Sequence, residues 1–297
     1  LSVHSDQIKA GKIAAKTRGM VENHDLVDHS LSEICDMVEG NIKKLGGELA
    51  FPCNVSLNEV AAHCTADLDD HDEIVNDGDL VTIDLGVHIN GYIADTATTI
   101  SYNSDYDVLN QAAKETLNAA IKKVKRDVSA GEIGQVISET AERWGFRPIS
   151  NLTGHSTGQY MIHAGTSIPN VWIPGTLRLN LGTSYAIEPF LTLQDGDGLV
   201  IDGGAPRIFA LVSRKKTGKK HLDMLIDEIW NGRKTLPFAP RWYLSLFKKE
   251  KMKSIIDELV NRKILRGYPI LVEKKGMYVS QFEHTIMPTE TGSVIIT

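Results

Sequence analysis

Residues 80–100, LVTIDLGVHINGYIADTATTI, constrain this chain more than any other stretch. Two runs of alternating and β-branched residues flank Asn90-Gly91, a dipeptide suited to the positive φ angles of a tight hairpin turn. An aspartate sits inside each arm, at Asp84 and Asp95. With Asn90 and Gly91 as the two turn residues, position 86 faces 95 and the two acids lie diagonally on one face. Centring the turn on Ile89-Asn90 sets them directly opposite instead. In either register their Cβ atoms fall within about 8 Å of each other. Two carboxylates so close between apolar strands repel, and burying them is costly unless a cation joins them. A divalent metal, or a pair of metals, resolves the conflict. The plainer alternative is a solvated face on which both acids are merely polar.

Around this hairpin the sequence predicts helices in pairs. Residues 30–33, SLSE, form a capping box, and Leu31, Ile34, Cys35, Val38, Ile42 and Leu45 recur on one face until Gly46-Gly47. An earlier helix is expected over residues 5–23. Two more follow the hairpin, one carrying Leu109, Ala113, Leu117, Ala120, Ile121 and Val124, the other Ile133, Val136, Ile137, Ala141 and Trp144. Short strands are expected over 147–152, 185–193 and 278–287. Strands, paired helices, then strands again predict an α+β fold rather than a wound parallel sheet. From about 206 to 268 the texture changes to lysine-rich sequence and two helical faces. Leu222, Leu225, Ile226, Ile229 and Trp230 form one. Met252, Ile255, Ile256, Leu259, Val260 and Ile264 form the other, with Gly267 as its stop.

At 297 residues, 42% of them hydrophobic, the chain is long enough for a sizeable core, as one large domain or two small ones. A net charge of −6 argues against general coating of nucleic acid. No apolar run approaches bilayer length, and the first residues lack a signal-peptide apolar segment, so neither a membrane nor export is expected. The three cysteines, Cys35, Cys53 and Cys64, form no C-x-x-C pair and leave one over from any disulfide, which points to the cytoplasm. The lysines at 214–220 read as a solvated loop, with a transient contact to ribosomal RNA as the functional alternative.

Other ligand-type side chains stand in equally odd places. Glu188 lies inside SYAIEPFLTL and Glu283 inside YVSQFEHTIMP, both otherwise strand-like. His155 follows an expected strand, with His163 eight residues on, and His63 sits in NEVAAHC. Each alone has an ordinary structural explanation. Together, four carboxylates and a histidine make an oxygen-rich set suited to two divalent ions of the Mn, Fe, Co or Zn type. His88 and His284 are expected to point away from the acids, His284 by strict alternation. The stretch DGDGLVIDGGAP lacks the closing glutamate of a calcium loop and reads as turns.

In this order and spacing, FPCNVSLNEVAAH, IDLGVHINGYIADTA, NLTGHSTGQYMIHAG, AIEPF and QFEHTI resemble the methionine aminopeptidases. The similarity is to the type 2 branch found in archaea, because an insertion containing LPFAPRWY precedes the last motif. It covers nearly the whole chain, without the long charged extension that precedes the eukaryotic relatives. The resemblance implies a pita-bread fold: two pseudo-related halves of helices and antiparallel strands around a dinuclear metal centre. Residues 1–205 and 269–297 would form the catalytic domain, and 206–268 a small helical, winged-helix-like insertion. It further implies metal ligation by Asp84, Asp95, His155, Glu188 and Glu283, with Asp95 and Glu283 shared between two ions. Glu188 would transfer the proton, and His63 and His163 would contact substrate and stabilise the tetrahedral intermediate as hydrogen-bond donors. Phe51, Ile162 and Tyr268 would wall a methionine pocket. The implied substrate is the N-terminal methionine of nascent polypeptides, cleaved by a monomer.

Two rivals frame the expectation. An X-Pro dipeptidase uses a similar ligand order but usually carries a large domain ahead of its first ligand, where about eighty residues stand here. A catalytically silent homologue binding ribosomes or RNA would be expected to lose ligands, and none of the five is missing.

Overall fold

Ser30 and Ser129 begin helices in the same way. Each serine hydroxyl accepts the backbone N–H three residues on, while Glu33 or Glu132 reaches back to the serine N–H. Such reciprocal caps satisfy donors a helix end leaves free and contribute about 1 kcal/mol apiece. The helices they start are second members of two pairs. The computed structural model describes residues 3–68 and 73–297. In it, α1 (Ser5–Glu22) and α2 (Leu31–Lys44) form one pair, α3 (Asp107–Lys123) and α4 (Ala130–Arg143) the other.

Between the pairs run the short strands β1 (Glu48–Leu49), β2 (Asn54–Leu57) and β3 (Val60–Ala62), then the long arms β4 (Leu80–Ile89) and β5 (Tyr92–Ser101). After α4 come β6 (Phe146–Pro148), β7 (Thr153–Thr157), β8 (Ser167–Pro169), β9 (Ser184–Ile187) and β10 (Phe190–Leu193). β11 (Val200–Leu211) leads into α5 (Lys220–Arg233) and α6 (Lys249–Asn261), and β12 (Leu265–Glu273) returns from them. β13 (Val279–Gln281), β14 (Glu283–Pro288) and β15 (Ser293–Ile295) follow.

The main sheet runs β1-β4-β5-β14-β9-β7-β8, with β2 also on β4 and β15 also on β14. The first helix pair buries Ala14, Ile34, Val38 and Ile42 with Ile83 and Val87 of β4. The second pair buries Leu117, Ile133 and Ile137 with Tyr185, Ile187 and Ile286. Each half of the sheet thus has its own pair of helices and its own core, and the other sheet face is left for the site. None of the described helices is long and apolar enough to cross a membrane.

The hairpin register is settled: Gly86 faces Asp95 and Ile89 faces Tyr92, so Asn90 and Gly91 make the turn, with φ of 51° and 85°. Asp84 and Asp95 are therefore diagonal. Four expectations need correction. The runs over 185–193 and 278–287 each break in two, at Glu188-Pro189 and at Phe282, and His155 lies within β7 rather than after a strand. Residues 200–206, read as turns, begin β11. Helix α6 stops at Asn261, where Lys263 takes a left-handed φ of 56°, so Ile264 lies beyond it and Gly267 falls inside β12.

Strands β11 and β12 pair from Val200↔Glu273 to Leu211↔Leu265, and the helical block grows from the end of that ladder. It has its own core, including Leu222, Leu225, Ile229, Met252, Ile255 and Leu259. Two lysines of the basic cluster are held on its surface, Lys216 by Asp227 and Lys219 by Glu258 at 2.8 Å.

Candidate metal centre and substrate cavity

The five ligand-type residues come from five neighbouring strands or strand ends and lie in two rows on one sheet face. In the first row Asp84 faces Ala97, and Ala97 faces Glu283 on the next strand. Glu188 follows the end of β9, whose Ile187 pairs with His284. In the second row Asp95 exchanges hydrogen bonds with Thr285: its N–H donates to Thr285 Oγ1 at 2.7 Å, and Oγ1 donates to its carbonyl at 2.9 Å. Thr285 faces Ala186, which faces His155 on β7. Small residues at 97 and 186 leave room for the acids to converge. Oxygens of Asp84, Asp95 and Glu283 all lie within 4.8 Å of one another. His155 Nε2 is 3.4 Å from Glu188 Oε1 and 3.8 Å from Asp95 Oδ2.

The electrostatics suit a bound cation. Burial raises all four carboxyl pKa values, Asp84 to about 7 and Asp95, Glu188 and Glu283 well above their ordinary values. For the last three, neighbouring carboxylates add to the effect. Burial also lowers His155 to about 3, so its contacts with the acids are not ion pairs. Asp84 Oδ1, Asp95 Oδ1 and Glu283 Oε1 are buried with no hydrogen-bond donor. Buried acceptors are almost always satisfied, and three orphans aimed into one cluster match a divalent cation bound by hard oxygen ligands.

The cluster forms the floor of a cavity of about 270 Å³. All ten residues singled out in the sequence line it: the five above with Phe51, His63, Ile162, His163 and Tyr268. Phe51 and Ile162 belong to one apolar cluster with Ala50, Ile93 and Leu236. The His163 ring lies 4.3 Å from that of His155, and His63 stands edge-on to Tyr268 at 5.5 Å. Burial lowers both His63 and His163, and the Arg266 guanidinium adds to this, so both are neutral at pH 7. His63 has a left-handed backbone, φ 63°, and its Nδ1 lies 3.2 Å from the Pro269 carbonyl. A carbonyl only accepts, so Nδ1 carries the proton and Nε2 of the neutral ring is an acceptor.

His88 and His284 stand apart from the cavity. His284 reaches Arg18 at 3.2 Å and Thr297 at 2.9 Å behind the sheet, and His88 accepts the Gly91 N–H at the hairpin turn. Sequence reasoning missed four residues. The Gln281 amide reaches Glu283 Oε2 at 3.4 Å and Glu188 Oε2 at 3.5 Å, and Thr285 holds Asp95. Both sit two residues from Glu283, so alternation was a signal for them. Pro237 and Arg266 also line the cavity, and no local pattern marks either.

Buried carboxylates on the floor of a cavity with one apolar side suit a metallohydrolase, and the chain belongs to metallopeptidase family M24, whose model matches residues 7–212. It is 41% identical to a methionine aminopeptidase of Methanocaldococcus jannaschii, over 98% of this chain and 97% of that protein. With a methionine aminopeptidase of Pyrococcus horikoshii it shares 42%, over the same fractions of each. Among solved structures, a methionine aminopeptidase of Thermotoga maritima superposes with a TM-score of 0.70 at 24% identity, covering 100% of this chain and 98% of that one. A thermophilic Arx1 gives 0.82 at 17% identity, over 98% and 90%. The Pyrococcus horikoshii prolidase gives 0.62 at 17%, but only 60% of it is covered. These likenesses establish the shared pita-bread fold.

Proposed function

We propose that this site removes the N-terminal methionine from polypeptides, with Asp84, Asp95, His155, Glu188 and Glu283 holding two divalent ions of the Mn, Fe, Co or Zn type. The activity is that of a metal-dependent aminopeptidase, in keeping with the full-length relatives. The observation that carries the assignment of ligands is the set of three buried, donorless carboxylate oxygens facing one another. Bound divalent ions supply positive charge that acidifies water and polarises a carbonyl.

The chain's own groups do the rest. Glu188, which lines the cavity, takes a proton from the attacking water and passes it to the leaving amine. The Gln281 amide reaches Oε2 of Glu188, and Oε1 faces His155. His163, neutral, donates to the oxygen on which negative charge develops. His63, fixed by Pro269, accepts a substrate N–H. Phe51, Ile162 and Tyr268 surround the methionine side chain, and the block over 206–268 closes this apolar side through Leu236 and Pro237. Such a pocket discriminates by about 1–3 kcal/mol per methylene. A cytoplasmic monomer acting on nascent chains is the setting proposed.

The test compares hydrolysis of Met-Ala-Ser and of an Ala-Pro dipeptide by protein loaded in turn with Mn, Fe, Co and Zn. Cleavage of the first alone is expected. Turnover of only the second would reassign the enzyme to the X-Pro hydrolases, and a metal-loaded protein that cleaves neither would favour a silent homologue.

A further inference from the structure

Arg233 ends helix α5, and burial of its guanidinium lowers its pKa to about 10. Among the described residues no carboxylate forms an ion pair with it. Glu39 and Glu48 act on it only from a distance, and a cation taken out of water is expensive to hold without close partners. Its Nη2 donates to the Leu49 carbonyl at 2.6 Å and to the Pro237 carbonyl at 3.0 Å, and Nε donates to Pro237 at 3.2 Å. The plane lies over the Trp242 ring at 4.4 Å. One rigid fork therefore grips two chain segments 188 positions apart.

Both segments carry walls of the cavity. Leu49 precedes Phe51 by two residues on the hairpin half, and Phe51 packs with Ile162 and Leu236. Pro237 lines the cavity directly. After Arg233 the chain turns sharply at Lys234, φ 58°, and Thr235 Oγ1 donates to the Tyr160 carbonyl at 2.6 Å, two residues before Ile162. The far end is tied by paired backbone bonds between Phe238 and Phe209, at 2.9 and 2.7 Å. Leu236 of this strap packs against Phe51, and Arg233 adds a hydrogen bond to the backbone of the segment that carries Phe51.

We propose that Arg233 is a positioning residue for methionine recognition, setting the separation between the Phe51 wall and the Leu236–Pro237 wall. This rests on reading the apolar side of the cavity as the methionine pocket. The guanidinium suits the task because its donors have fixed directions, whereas a lysine ammonium is a single point on a flexible stem. Arg233 touches neither the carboxylates nor the proton-transfer group, so its loss should alter the fit of the side chain and not the chemistry.

The experiment measures kcat and KM on Met-Ala-Ser and Leu-Ala-Ser for metal-loaded wild type, Arg233→Met and Arg233→Lys, with metal content determined alongside. For Arg233→Met the expected result is KM for the methionine peptide raised about ten-fold, kcat within about two-fold, unchanged metal, and a methionine-to-leucine preference reduced about ten-fold. Arg233→Lys should lie between, at about three-fold. Simple destabilisation would lower the active fraction for both peptides alike and leave KM and the preference untouched. Wild-type KM and preference in a folded Arg233→Met would overturn the proposal. Should that variant not fold, wild-type values in Arg233→Lys would do the same. A wild-type protein that fails to cleave the methionine peptide contradicts the assigned activity instead.

Discussion

Gly86 faces Asp95 across the hairpin, and the side chain Gly86 lacks is what admits the Phe51 ring beside that carboxylate. A Cβ placed at Gly86 would come within 2.2 Å of Phe51 Cε1. Residues directly opposed in an antiparallel pair share a face, so the ring packs on the same side as Asp95. The apolar wall and the acidic floor are joined at this one glycine.

Gly86→Ala should therefore damage the pocket more than the metal centre. The phenyl ring has to move, and overpacking of this kind costs about 1–3 kcal/mol. Expected is at least a ten-fold fall in kcat/KM on methionine peptides, with metal stoichiometry retained. A variant with wild-type kinetics would show that the ring position is unimportant.

The raised pKa of Asp84 gives a stability signature without metal. Its value is about 7 folded against an ordinary 3.8, so between these limits the folded state holds the extra proton. Stability from this group falls as pH rises through that window, the reverse of a salt-bridged carboxylate. Buried His88, His155 and His284 are depressed to about 4, 3 and 4 and slope the other way, so a bare Tm profile mixes the effects. The difference between metal-free Asp84→Asn and metal-free wild type cancels the histidines and reports Asp84 together with the relief it gives Asp95, Glu188 and Glu283, which has the same sign. The Tm values should coincide near pH 3.5, and the variant should melt a few degrees higher at pH 7.5. Excess manganese should reverse that order. Equal Tm values at both pH values in chelator would contradict the buried-carboxyl account.

Glu188→Gln should nearly abolish turnover, by about 100-fold or more, while circular dichroism stays unchanged. Retained activity in this variant removes Glu188 from proton transfer.

His63→Ala should slow turnover by about 10- to 100-fold and leave bound metal as in wild type, because its Nδ1 is committed to Pro269 and not to the carboxylate floor. Elemental analysis showing metal loss in this variant would place His63 among the ligands, against the geometry.

How much of this was legible beforehand follows the range of the interactions. The Ser30 capping box, the Asn90-Gly91 turn and the shared face of Asp84 and Asp95 are local patterns, each readable within a few residues. Convergence of Glu188, Glu283 and His155 on that face was not derivable from any window; it came through the resemblance, and the strand order β4-β5-β14-β9-β7 is its physical cause. The split strands escaped notice because Pro189 and Phe282 interrupt otherwise continuous β character. The helix end at Asn261 has no glycine to mark it, because Lys263 takes the left-handed turn and Gly267 serves β12. The wall built by Leu236 and Pro237, and the grip of Arg233 on Leu49, join distant segments and leave no trace in periodicity.

The central claim is that these five side chains share divalent metal. It is tested most directly by anomalous diffraction from crystals soaked in manganese, recorded at the metal's absorption edge. Two peaks are expected, bounded by Asp84, Asp95, His155, Glu188 and Glu283. Occupied sites elsewhere with no density above these carboxylates would contradict it.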